Sequence, residues 1–119
     1  MLIRYKNNYE KIAMGLLSFM PDKKDVKNLL QTIQKYERED SWQLYLWKQD
    51  EDILGAVGIK IVEDMSVIIQ HITVDPSHRN HGVGKQMIRH IIDKYSSKYE
   101  VIADEQVSKF YQKCIESES

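Results

Sequence analysis

Between residues 72 and 85 the chain reads Ile72-Thr73-Val74-Asp75-Pro76-Ser77-His78-Arg79-Asn80-His81-Gly82-Val83-Gly84-Lys85. Gly84, Met87, Ile88, Ile91, Ile92 and Tyr95 then recur at helical spacing. Glycines at 82 and 84 let the backbone take unusual dihedrals and approach a ligand closely, so that successive amide N–H groups converge where a helix begins. Arg79 and Lys85 add positive charge, and the helix dipole favours a ligand of negative sign. A strand ending at Pro76, a glycine loop and an amphipathic helix in immediate succession have the chemistry of a phosphate cradle.

Two familiar cradles are excluded. A Walker A loop requires glycine where Arg79 stands and serine or threonine where Gln86 stands. The dinucleotide fingerprint requires glycine or alanine at Met87 and an early parallel strand before it. Taken alone, the two glycines are equally compatible with a tight turn that binds nothing.

The elements that must position this loop follow from the spacing of apolar residues. Met1 to Tyr5 reads as an opening strand. Tyr9, Ile12, Ala13, Leu16, Leu17 and Met20 mark a helix that ends before Pro21. Val26, Leu29, Leu30, Ile33 and Tyr36 give a second buried stripe, with Asp22 as its N-cap. Three strands then span Trp42 to Lys48, Ile53 to Val62 and Val67 to Val74. The polar turns Asp50-Glu51-Asp52 and Glu63-Asp64 between them are short enough to require antiparallel neighbours. After the glycine-loop helix, Tyr99 to Ala103 is one more strand, and Val107, Phe110, Tyr111 and Cys114 define a last short helix before a frayed tail from Glu116. The expected class is mixed α+β: strand, two helices, a three-strand meander, helix, strand, helix.

At 119 residues the chain suffices for one domain, taken as 1–119. Seventeen basic residues against eighteen acidic leave no broad field for nucleic acid or an anionic membrane, so any anion site is local. Ile12 to Met20 is too interrupted in its approach, and too helical in its spacing, for a signal-peptide core, and no apolar run reaches the ~20 residues of a membrane span. With one cysteine, Cys114, no intramolecular disulfide can form, and a cytoplasmic location is expected.

With these residues in view, the sequence resembles the GNAT acyltransferases, whose central motif is Arg or Gln, two residues, Gly, any residue, Gly or Ala. Arg79, Gly82 and Gly84 match it, Val74, Pro76 and Met87-Ile88 extend the match, and the element order fits from about residue 1 to 114. Within the family the likeness is greatest to a small acetyltransferase-like branch encoded with riboflavin-biosynthesis genes. The resemblance implies a GNAT fold with a mostly antiparallel, splayed sheet flanked by helices. It implies acetyl-CoA as cosubstrate and an amine of a small molecule or protein lysine as acceptor. Ile72, Thr73 and Val74 would pair with the pantetheine arm, and Asn80, His81, Gly82, Val83, Gly84 and Lys85 would hold the pyrophosphate with Arg79. The hairpin that family members commonly add after the last helix has no room here. The fold is expected to be C-terminally shortened, and a homodimer could close the acceptor side.

Transfer to an amine needs a polarised thioester, a neutral nucleophile and a proton for the departing thiolate. The family's last-helix motif is Asn, two residues, Ala, two residues, Phe or Leu, Tyr. Phe110-Tyr111 fits its end, which makes Tyr111 the expected acid. Asp104 and Val107 stand at the Asn and Ala positions, and Asp104 is assigned to coenzyme contact by that place. His71, on the strand before the loop, is the expected base near neutral pH. Glu63 and Asp64 are read as turn residues. His78 and His81 lack the further ligands of a closed zinc site, so no metal is expected. Trp42, Tyr45 and Trp47 are either an acceptor wall or, more simply, core. A module that binds coenzyme A but transfers nothing is the competing expectation, favoured by the altered last-helix motif.

Overall fold

The computed structural model describes residues 1–20, 25–63, 65–79 and 81–116. Strand β1 is Leu2–Arg4, helix α1 Glu10–Leu17 and helix α2 Val26–Arg38. The meander is β2 Trp42–Gln49, β3 Asp52–Val62 and β4 Ser66–Val74; α3 Val83–Tyr95, β5 Glu100–Ala103 and α4 Ser108–Glu116 complete the order. The strands form one sheet in chain order, β1-β2-β3-β4-β5. All neighbours are antiparallel except β4 and β5, which are parallel because α3 carries the chain back across the sheet. The mixed α+β architecture is therefore the expected one. The two hairpins turn on left-handed Asp50 (φ 56°) and Glu63 (φ 51°), within the polar turns read from the sequence. Asp64 lies outside the described residues.

Each face of the sheet carries its own core. On one, Val57, Ile59, Val67, Ile69 and Ile72 meet Met87, Ile88 and Ile91 of α3. On the other, Leu44, Leu46 and Ala56 meet Ala13, Leu16 and Leu17 of α1 and Leu29, Ile33 and Tyr36 of α2. Each Val, Leu, Ile or Met side chain among them contributes about 1.5–3 kcal/mol by leaving water. The helix stripes need correction in detail. Ile12, Val26 and Leu30 are exposed, because α1 buries the 13, 16, 17 row and α2 the 29, 32, 33, 36 row. Asp25, not Asp22, caps α2, accepting from the Lys27 amide at 3.0 Å; Asp22 is outside the described residues. Helix α1 stops at Leu17, short of the expected Met20, where turn bonds from Phe19 and Met20 to Leu16 and Leu17 take over. The aromatic strand is not one wall. Tyr45 and Trp47 are buried towards α3, while Trp42 faces α2, as alternation in β2 requires.

The feature that shapes the site lies in β4. Its rungs with β3 run Ile59↔Ile69 and then Gly58↔His71, leaving Gln70 as the extra residue of a β-bulge. Its rungs with β5 stop at the same place, Ile69↔Ala103, and the Asp104 amide closes the pairing on the Ile69 carbonyl at 2.8 Å. Beyond that rung β4 continues to Val74 without β5, so the sheet splays.

Candidate active site

The splay opens into a cleft of about 650 Å³ between the free length of β4, the start of α3 and one face of α4. Ile72, Thr73 and Val74 form its floor; Gly82, Val83, Gly84 and Lys85 form one end. Gln106, Val107, Phe110, Lys113 and Cys114 form the facing wall. Arg79, Lys85 and Lys113 line it and, among the described residues, no carboxylate does. A cleft of one sign in low-dielectric walls concentrates a multiply charged anion.

At its end, Gly82 caps α3 with φ 80°, a left-handed conformation that glycine reaches without strain. The Gln86 amide donates to the Gly82 carbonyl at 3.0 Å. The first amides of any helix lack an intrahelical carbonyl, and at such a start the dipole favours an anion. Gly84 has a second task besides lining the cleft. It sits inside the helix, buried, and a Cβ there would run into the Phe110 ring, so its missing side chain lets α4 lie against α3 and close the wall.

The expected coenzyme residues are distributed as follows. Ile72, Thr73, Val74, Arg79, Gly82, Val83, Gly84 and Lys85 all line the cleft. The Arg79 guanidinium lies 5.7 Å from the Phe19 ring and donates from Nε to the Val74 carbonyl at 3.2 Å, so it spans the rim. His81 is exposed and does not line the cleft; its ring stands edge-on to His78 at 6.4 Å. Asn80 lies outside the described residues. Asp104 does not line the cleft either: its carboxylate caps the short turn before α4, accepting from the Gln106 amide at 3.2 Å. Asp75 performs the same service after β4, accepting from Ser77 N and Oγ at 2.9 and 2.7 Å, and these bonds hold its carboxyl below the usual range. Among the described residues no group of three metal-ligating side chains gathers.

The two expected catalytic residues fall on opposite faces. Tyr111 packs on the α3 side and does not line the cleft; its hydroxyl reaches the Val101 carbonyl of β5 at 3.5 Å, and burial raises its pKa above the ordinary 10. His71 is 6 % exposed on the α2 side, directly after the bulge, with Nδ1 2.6 Å from the Tyr36 hydroxyl. Tyr36 was legible only as part of a helix stripe, yet it contacts the expected base. Phe110 was legible only as part of the last-helix motif and Lys113 carried no reading, yet both line the facing wall of the cleft.

The sequence comparison fixes the class. The profile of the Acetyltransferase (GNAT) family matches residues 9–114, and the chain belongs to that family of acetyl-CoA-dependent acyltransferases. It is 53% identical over 114 residues, 96% of this chain and 94% of the relative, to a Bacillus methanolicus protein described as an uncharacterized N-acetyltransferase in the lysA 3' region. Among solved structures, the aminoglycoside N-acetyltransferase AAC(6')-Iy in complex with CoA superposes with a TM-score of 0.78 at 19% identity, over 98% of this chain and 84% of that one. A GNAT family acetyltransferase from Elizabethkingia anophelis with acetyl-CoA bound gives 0.73 at 20% identity, over 100% and 74%. At these identities the structures show a shared fold.

Proposed function

We propose that the protein, as one domain over residues 1–119, transfers an acetyl group from acetyl-CoA to a primary amine. The observation that carries this is the coincidence of three features: a β4 edge left open by the bulge, a helix start capped by left-handed Gly82, and a cleft lined by Arg79, Lys85 and Lys113. The open edge suits the amides of a pantetheine arm, the helix start suits a pyrophosphate, and the cations suit the remaining phosphate charge. The thioester then arrives at the bulge, and the acceptor nitrogen approaches from the α2 face. The nitrogen forms a bond to the carbonyl carbon, the C–S bond breaks, the amine loses a proton and the thiolate gains one. Tyr111 is the proposed acid for that thiolate. A tyrosine hydroxyl is protonated at neutral pH, burial raises its pKa further, and the 3.5 Å contact with Val101 is too long to hold it firmly.

Calorimetric titration of acetyl-CoA and CoA into the wild type and a folded Arg79→Glu/Lys113→Glu variant tests the coenzyme site. Micromolar binding that the variant loses supports it, and wild type that binds neither ligand removes the proposal. An acceptor panel follows, of aminoglycosides, polyamines, lysine peptides and peptides with N-terminal alanine, since relatives of this fold include aminoglycoside and ribosomal-protein-alanine acetyltransferases. Flavin precursors belong on the panel because the resemblance extends to a branch encoded with riboflavin genes. Tyr111→Phe should lower turnover at least tenfold with coenzyme affinity intact.

A second reading, a coenzyme-A-binding regulator with little transfer, is favoured by the Tyr111 hydroxyl pointing out of the cleft and by Asp104 acting as a cap. Binding without acetylation of any acceptor would select it. A cytoplasmic homodimer joined along the outer edge of β5, the last strand in the sheet, completes the proposal. A monomeric mass by light scattering at micromolar concentration would count against that part.

A further inference from the structure

The face of the sheet opposite the cleft carries a buried polar chain. Gln70, the bulge residue, donates from Nε2 to the Tyr36 hydroxyl oxygen at 3.1 Å, and that hydroxyl lies 2.6 Å from His71 Nδ1. Tyr36 and His71 are 7% and 6% exposed. The pair is gripped from the sides: the Tyr36 ring meets Trp42 at 5.0 Å, and His71 stands edge-on to Tyr36 at 5.7 Å. Gly58, in register with His71, has no Cβ because one there would occupy the position of the Tyr36 hydroxyl. A bulge, a glycine and two aromatic contacts thus fix Gln70 and His71 of β4 against Tyr36 of α2, at the point where β4 leaves β5.

The direction of the chain determines what His71 can do. The Gln70 amide nitrogen can only donate, so it occupies a lone pair of the Tyr36 oxygen. The hydroxyl proton needs an acceptor, since a buried donor without one is unfavourable by an amount comparable to the bond itself. His71 Nδ1 supplies it if that nitrogen is unprotonated. Were Nδ1 to carry the proton, the Tyr36 oxygen would receive two bonds and its own proton would face a ring N–H.

We infer that Tyr36 is a positioning residue that fixes His71 in the Nε2–H tautomer, so that His71 serves the reaction as a hydrogen-bond donor and not as its base. This differs from the role expected from sequence. A ring with its lone pair directed at Tyr36 and its proton on Nε2 has no site to receive the amine's proton. That proton leaves through water, and His71 keeps its Nε2–H as a donor. The catalytic half of this inference rests on the acetyltransferase reading above; the tautomer does not.

The test uses the full chain with 15N-labelled histidine and two-bond 1H–15N correlation at neutral pH, His71 being identified among the four histidines by its loss in His71→Asn. The expected wild-type pattern is an unprotonated Nδ1 and a protonated Nε2. Tyr36→Phe, which keeps the ring and removes the donor, should convert it to a tautomer mixture. Gln70→Glu should reverse the chain: a carboxylate only accepts, so the Tyr36 proton turns to it and His71 donates from Nδ1. A wild-type Nδ1–H pattern, or a His71 pattern unmoved by both variants, overturns the inference, and the wild-type spectrum alone decides if a variant fails to fold. In steady state, Tyr36→Phe should lower kcat about tenfold with the KM for acetyl-CoA unchanged, because the coenzyme lies on the opposite face. An equal change in both constants would overturn the catalytic half. Failure to bind acetyl-CoA would remove the acetyltransferase reading and leave the tautomer result standing.

Discussion

Gly58→Ala is the substitution that interrogates the sheet most directly. Gly58 is a β3 residue opposite Leu44 on one side and His71 on the other, and the Tyr36 hydroxyl fills the space where its Cβ would be. The Tyr36 ring cannot swing clear without leaving Trp42 and the half-turn of α2 around Ile33 that anchors it. Overpacking of this kind costs about 1–3 kcal/mol. Displacing the hydroxyl from His71 and Gln70 adds about 1–3 kcal/mol for buried groups left unpaired. Alanine in a strand regains about 0.5–1 kcal/mol over glycine. The net expectation is a loss of about 1–5 kcal/mol, read as a fall in the urea midpoint at constant slope. The sharper assay is a double-mutant cycle with Tyr36→Ala, which removes the obstacle: Gly58→Ala should then be at least 1 kcal/mol less costly, well above the ~0.5 kcal/mol expected of independent sites. Additivity within that limit would refute the claim that glycine is there to seat Tyr36.

Gly82→Ala should destabilise by about 1–2 kcal/mol, because an L side chain is placed in the left-handed region, and should weaken coenzyme binding in the same calorimetric experiment. Lys113→Glu should raise the Kd for CoA by about 3- to 30-fold, with the difference from wild type shrinking at high salt since Lys113 is exposed. Asp75→Asn tests the turn after β4. The folded carboxyl titrates below the ordinary 3.8, held down by its bonds to Ser77, so its contribution is present above the unfolded pKa and fades as pH falls through the folded value. The variant should therefore differ in stability from wild type above about pH 5 and converge with it in strong acid.

Much of this architecture was legible because period and punctuation agreed. The polar turns at 50–52 and 63–64 set the antiparallel meander, and the apolar row from Met87 to Ile91 set α3. The bulge also left a trace. Apolar residues facing α3 fall at Val67 and Ile69 and then at Ile72 and Val74, a slip of one position that marks Gln70 as extra. What stayed hidden depends on contacts between distant segments. Nothing local to Tyr36 distinguishes a core tyrosine from one bonded to a residue 35 positions away. Gly84 carries the same letter whether it faces a ligand or Phe110. Tyr111 occupies its motif position, but rotation of α4 on the sheet, set by packing, decides where the hydroxyl points.

Helix α4 forms a wall of the cleft, yet none of its described side chains is buried, and the strand that leads to it is joined to the sheet by four rungs. Segments with little buried apolar surface open at a small fraction of the global unfolding free energy. The amides of α4 should therefore exchange with deuterium long before those of β3, and a coenzyme that bridges Gly82 and Lys113 would slow them without touching β3. The wall would then be part of what the ligand assembles, and affinity for coenzyme would include the work of docking a helix.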